Sequence, residues 1–123
     1  MDYSSTDIEQ AVEKLRSLNY LNDETFARNW ARSQAQSRGY GPNRIEQELR
    51  AKGIAPTLLR EVVSELFADM DEAANARRVL AKRFKGQDLS EPKVRTRAAA
   101  FLHRHGYRSQ VIFDLLRYSI EED

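Results

Sequence analysis

The 123-residue chain has no cysteine, which excludes both a disulfide framework and a zinc–thiolate site. Three prolines and five glycines are too few for a loop-dominated or low-complexity chain. No apolar run approaches the roughly 20 residues that span a bilayer, so no membrane segment is expected. The N-terminus, Met1-Asp2-Tyr3-Ser4-Ser5-Thr6-Asp7, is polar and acidic, unlike a secretory signal. The expected location is cytoplasmic. No segment alternates apolar and polar residues with period two, and no Asn-Gly or Asp-Gly turn occurs, so strands are not expected. Chemistry-bearing patterns are missing as well. The two histidines, His103 and His105, stand two apart on a helical segment and project about 200° apart, too far to share a metal. Gly39-Tyr40-Gly41 lacks the length and the Lys-Ser/Thr ending of a phosphate loop. No catalytic residue, cofactor or metal is expected, and the reading is of a protein that is not an enzyme.

What is present is helical periodicity. Thr6 and Glu9 fit a capping box, and Ile8, Ala11, Val12, Leu15 and Leu18 follow at helical spacing, predicting a first helix over 7–18. Asn19-Tyr20-Leu21-Asn22 is expected to break it. A second helix, capped by Asn22 or Asp23, runs to about Gln36 with Phe26, Ala27, Trp30 and Ala31 inward. Helices are then expected over 42–52, 56–68, 71–84, 92–105 and 109–120, the last with Val111, Ile112, Leu115, Leu116 and Ile120 inward. The fold class is all-α.

The densest signal is Arg38-Gly39-Tyr40-Gly41-Pro42, continuing through Arg44-Ile45, Glu48-Leu49 and Lys52-Gly53-Ile54. Gly39 and Gly41 tolerate positive φ, so a helix can stop and the chain reverse. Pro42 suits a first helical turn, Ile45 and Leu49 form one apolar edge, and Gly53 closes the helix. Gly39, Tyr40, Gly41, Pro42, Ile45, Leu49 and Gly53 are therefore read as a structural corner. The pattern Leu49…Gly53-Ile54, Leu58-Leu59, Val62-Val63 returns fifty-three positions later as Leu102…Gly106-Tyr107, Val111-Ile112, Leu115-Leu116. The repeat unit has three helices: residues 22–68, then 69–123, with residues 1–21 as the remnant of a preceding unit. Units this small need neighbours to complete a core, so tandem packing into an elongated array is expected.

Charge is polarised although the net charge is only +1. Five acids and no base lie between Glu61 and Glu72, whereas ten bases and two acids lie between Arg77 and Arg108. Lys82, Arg83 and Lys85 cluster at a helix end, and Lys93, Arg97 and Arg104 share one face of the next helix. This set is either a solvated face or a contact surface for phosphates or an acidic partner. Phe84, Phe101 and Tyr107 are the few aromatics near it that could stack on bases, with Phe101 read more as a core residue. Arg44, Glu48 and Lys52 recur at four-residue spacing, with Arg38 nearby, either as helix-stabilising pairs or as a partner-facing stripe. A sequence-reading helix-turn-helix is disfavoured, because the second helix carries Glu61 and Glu65 and one base, Arg60.

Tyr20-Leu21-Asn22-Asp23 with Phe26-Ala27, then Gly39-Tyr40-Gly41-Pro42, Arg44-Ile45, Glu48-Leu49 and Lys52-Gly53-Ile54, resembles the RecX family of bacterial regulators of the RecA recombinase. Phe101-Leu102 and Arg104-His105-Gly106-Tyr107 look like the family's closing repeat, so the resemblance covers nearly all of residues 8–120. It implies a curved array of three-helix repeats that binds RecA filaments on single-stranded DNA and blocks their growth, ATPase and strand exchange. On that reading Arg38, Arg44, Glu48 and Lys52 supply partner contacts, and Lys82, Arg83, Lys85, Lys93, Arg97 and Arg104 supply electrostatic contact to filament or DNA. The partners expected are the RecA filament and single-stranded DNA, with the chain itself a monomer. The alternative is a nonspecific DNA-binding helical module using the basic face of residues 77–108.

Overall fold

The structure, a computed structural model, describes residues 4–121, except for the side chains of residue 20 and residues 118–121. Six helices follow in order: α1 (Ser5–Ser33), α2 (Pro42–Ala51), α3 (Pro56–Asp69), α4 (Glu72–Arg83), α5 (Pro92–Arg104) and α6 (Ser109–Glu121). One π-helical turn, Gln34–Arg38, extends α1. Among the described residues there is no strand. Residues 1–3 of the expected N-terminal remnant, and the Ile120 side chain, lie outside what is described.

The expected break at residues 19–22 does not occur, and α1 runs through it as one helix of 29 residues, about 43 Å at 1.5 Å per residue. Asn19, Tyr20 and Asn22 are mediocre helix formers, each costing at most about 0.7 kcal/mol relative to alanine. With no glycine or proline between Ser5 and Ser33, nothing compels a stop. The cap also lies earlier than expected. Ser4 accepts from the Asp7 amide at 3.2 Å and Asp7 accepts from the Ser4 amide at 3.4 Å, a capping box two residues before Thr6.

Two hydrophobic cores lie in series. The first is built by the second half of α1 with α2 and α3: Ala27, Ala31 and Ala35 face Ile45, Leu49, Leu59, Val62 and Val63. Three alanines at four-residue spacing bring α1 close to its partners. Arg28 ties α1 to α3 through Glu65 at 2.5 Å and is also bonded to Glu24; the bond to Glu65 chiefly holds its pKa above the ordinary guanidinium value. The second core joins α4, α5 and α6 through Ala76, Leu80, Phe84, Val94, Ala98, Leu102, Tyr107 and Leu116. The protein is thus a tandem of three-helix units.

The first half of α1 joins neither core. Ile8 and Leu15 are 56% and 60% exposed, and Val12, Leu18 and Leu21 are exposed with them. Phe26, expected inward, is also exposed, because it lies about 100° around the helix from the Ala27–Ala31 stripe and stacks on Trp30 one turn on, with ring centroids 5.9 Å apart.

Gly53 and Gly106 close α2 and α5 at equivalent repeat positions, with φ of 85° and 93°. Nothing lies within 4 Å of a Cβ added at Gly53, whereas one at Gly106 would collide with the backbone and Cβ of Arg44. Both alanine variants carry the left-handed backbone cost of about 1–2 kcal/mol. Gly106→Ala adds an overpacking cost of about 1–3 kcal/mol. Urea unfolding should therefore rank Gly106→Ala clearly below Gly53→Ala; equal midpoints would mean the two units do not meet there.

Candidate functional site

The Gly39–Pro42 corner is where the two units join. The π-helical turn ends at Gly39, with φ 70°, and the Tyr40 amide bonds back to the Gln34 carbonyl at 3.2 Å. Gly41 has an ordinary φ of −91°, so its role is not the positive φ expected of it. It is there for space: a Cβ would lie 2.7 Å from the Gly106 carbonyl oxygen and 2.8 Å from the Tyr107 ring. The bare backbone lets Gly41 donate to the His105 carbonyl at 2.7 Å and Asn43 donate to the Gly106 carbonyl at 2.9 Å. The otherwise unpaired amides at the start of α2 thereby satisfy the carbonyls at the end of α5.

A buried polar cluster backs these bonds. Tyr107 is 1% exposed, and its hydroxyl donates to the Gly39 carbonyl at 2.7 Å and accepts from Asn75 Nδ2 at 2.9 Å. Arg78 donates to Asn75 Oδ1 at 2.8 Å, and both Asn75 and Arg78 reach the Ala35 carbonyl, at 3.3 and 3.5 Å. Burial pushes the Tyr107 hydroxyl pKa far above its ordinary value, outweighing the Asn75 bond and the Arg78 charge. Glu72, 5% exposed, accepts from the Arg108 amide at 3.0 Å and from its Nε at 2.7 Å, fastening the start of α6 to α4. That bond is the main cause of the raised Arg108 pKa.

Tyr107 and Phe84 are therefore corrections to the expected base-stacking aromatics, since both are buried in the second core. Glu72, Asn75, Arg78 and Arg108 escaped the sequence reading, which counted Glu72 and Arg108 as members of an acidic and a basic run. The signal was in the repeat: Tyr107 and Arg108 stand where the first unit has Ile54 and Ala55. Polar departures from an apolar repeat marked the joint.

The expected partner stripe is divided. Arg44 is half-buried, lies 4.5 Å over the Tyr40 ring, and donates to the Arg104 carbonyl at 3.4 Å, across the joint. Glu48 is half-buried and accepts from Gln34 Nε2 at 3.1 Å. Lys52 is exposed, with Nζ 4.2 Å from the Trp30 ring centroid. Arg38 is exposed at the end of the π-helical turn. The basic set stays on the surface of the second unit: Lys82, Arg83, Lys85, Lys93, Arg97 and Arg104 are all exposed. Arg83 lies 5.6 Å from the Phe84 ring centroid and Arg97 donates to Gln87 at 3.2 Å. Among the described residues, no three histidine, aspartate or glutamate side chains gather as a metal site would need. No helix among them is long and apolar enough to cross a membrane.

His105 sits in the joint, 4.1 Å from the Phe101 ring and 5.4 Å from the Tyr40 ring. Burial lowers its pKa below 6.5, the nearby Arg44 and Arg104 charges lower it further, and the bond to the Phe101 carbonyl opposes them. The folded state therefore binds this proton more weakly than the unfolded chain. Stability is full above about pH 6.5 and is lost as the pH falls toward the depressed folded value. Urea midpoints should fall between pH 7 and pH 5.5, and His105→Gln should flatten that part of the decline; an identical slope in the variant would remove His105 as its source. Tyr107→Phe should lose about 1–3 kcal/mol by leaving the Asn75 donor and Gly39 carbonyl short of a partner, and a loss below about 0.5 kcal/mol by urea unfolding would contradict this bonding.

Comparison with known proteins agrees with this architecture. The family model for the second three-helix domain of RecX matches residues 22–63, and that for the third matches residues 70–116. The regulatory protein RecX of Trichlorobacter lovleyi is 35% identical over 92% of this chain and 75% of its own length. That of Mannheimia succiniciproducens is 33% identical over 98% of this chain and 78% of its own. That of Corynebacterium efficiens is 30% identical over 99% of this chain and 60% of its own. No solved structure matches. The two tandem domains and these relatives place the chain in the RecX family of regulatory proteins.

Proposed function

We propose that this protein binds RecA-type filaments on single-stranded DNA and inhibits their growth, ATP hydrolysis and strand exchange, thereby modulating recombination and repair in the cytoplasm. It acts by binding alone, with no catalytic step and no cofactor. Membership of a family of regulatory proteins supports a regulatory role. The observation that carries the proposal is the exposed basic set of the second unit. The α4 end bears Lys82 and Arg83, the following loop Lys85, and α5 Lys93, Arg97 and Arg104. Such a set attracts phosphates and acidic protein surfaces alike. Arg38 and Lys52, both exposed, are the candidate contacts on the first unit. Arg44 and Glu48 position the corner from which that surface is presented.

A second reading, nonspecific DNA binding, is favoured by the same basic set and is separable by stoichiometry. RecA ATPase on single-stranded DNA should fall at ratios of this protein too low to coat the DNA. Lys82→Glu with Lys85→Glu should weaken that inhibition at least fivefold while leaving the circular dichroism spectrum unchanged. Inhibition confined to DNA-coating ratios would favour the second reading. DNA affinity would then drop by roughly 0.7–0.9 log units per log unit of salt for each phosphate contact. No inhibition at any ratio would sink the filament proposal.

A further inference from the structure

The second unit carries an open groove that shares Ile112 and Leu116 with its core and Arg104 with the basic set. It lies open between α5 and α6 and encloses about 740 Å³. Ala99 and Ala100 of α5 and Ile112, Phe113 and Leu116 of α6 form an apolar floor. Phe113 is 58% exposed there, a poor place for a large aromatic unless something covers it. Arg95, Arg104 and Arg117 stand around the floor. Arg117 lies 5.9 Å over the Phe113 ring. Among the described residues, no acidic side chain lines the groove.

The internal repeat shows that the fold does not require this surface. Fifty-three positions earlier, Ala99, Ala100 and Phe113 correspond to Glu46, Gln47 and Arg60, so the same face of the first unit is polar. The arginines are exchanged in the opposite sense: Arg95, Arg104 and Arg117 correspond to Pro42, Ala51 and Ser64. The positions whose packing the repeat does require are apolar in both units, with Leu59 and Val63 matching Ile112 and Leu116. The matching hollow of the first unit, between α2 and α3, carries Glu46, Arg60 and Ser64 on its surface and abuts Arg108 of the second unit, so it lacks the open Ala99–Ala100–Phe113 floor and holds an acidic residue.

We infer that the α5–α6 groove docks an acidic amphipathic helix of a partner protein. Two neighbouring helices leave a trough for a third, read by apolar anchors at i, i+3, i+4 and i+7. The floor takes the apolar stripe, and the arginine rim selects carboxylates on its flanks and disfavours a basic helix. Helices of 13 residues bound the groove, so an occupant of about four turns, near 20 Å, matches its length. Nucleic acid fits less well, because an apolar floor offers phosphates no donors. The groove shares Arg104 with the basic set, so the variant that separates this inference from the filament proposal is Phe113→Asp, which removes no charge of that set.

Fluorescence anisotropy tests it on the full chain with a fluorescein-labelled 15-residue helix of leucine and glutamate, leucines at i, i+3, i+4 and i+7. The same peptide with lysine for glutamate and a 20-nucleotide oligo-dT serve as rival probes. Saturable one-to-one binding of the acidic peptide is expected, at least tenfold tighter than the lysine peptide. Phe113→Asp, a change at an exposed position, should weaken it at least tenfold, and Arg104→Glu with Arg117→Glu at least fivefold. Arg60→Asp, at the matching place in the first unit, should leave it unchanged. Absence of saturable binding, equal affinity for the lysine peptide, or indifference to Phe113→Asp overturns the inference. Loss of oligo-dT binding alone in Phe113→Asp would assign the groove to nucleic acid instead. Sedimentation of the free chain covers the remaining occupant: a dimer that Phe113→Asp dissociates would assign the groove to a second copy.

Discussion

Everything in this molecule hangs on the close approach of two backbones, Gly41 of the first unit and Gly106 of the second. The amides of Gly41 and Asn43 reach the carbonyls of His105 and Gly106 at 2.7 and 2.9 Å only because no Cβ stands between them. Once that contact is made, the Tyr107 hydroxyl is carried to the Gly39 carbonyl, and Asn75 and Arg78 to the Ala35 carbonyl. Each unit has its own core, but these bonds close only if both units are in register. The joint thus converts two small domains into one scaffold and fixes how their surfaces lie relative to each other.

The repeat is most informative where it fails. Gly53 and Gly106 do the same conformational work in closing a helix, but Gly106 also gives way to the neighbouring unit and Gly53 faces open space. Asp23 and Asp71 precede similar helices in sequence, but Asp71 caps α4 through the Ala73 and Ala74 amides while Asp23 sits inside α1. Ile54 packs into a core, and its counterpart Tyr107 packs and bonds across the joint. Departures such as Gly41, Tyr107 and Arg108 build much of the joint, alongside Gly106 and Arg44, which recur as Gly53 and Arg97.

Much of this was legible in the chain. Helical periodicity, Pro42, Pro56 and Pro92 at helix starts, and Gly53 and Gly106 at helix ends located five of the six helices. The core positions Ile45, Leu49, Leu59 and Val63 followed from spacing alone. The continuity of α1 did not, because Asn19-Tyr20-Leu21-Asn22 suits a loop as well as a helix and only the absence of a glycine or proline tips the balance. The joint was hidden for a different reason. Glu72 with Arg108, and Asn75 with Tyr107, lie 36 and 32 residues apart, and pairings across that distance leave no periodic trace. A charge run therefore looked continuous although one member, Arg108, was already committed to Glu72.

That the two units are locked by backbone bonds through the glycine corner is tested by amide hydrogen exchange at Gly41 and Asn43. With the corner locked, both amides exchange as slowly as the core amides of Leu49 and Leu102, opening only with global unfolding. If instead they exchange as fast as the amide of Gly86 in the loop after α4, the units are not joined there and the scaffold described above is wrong.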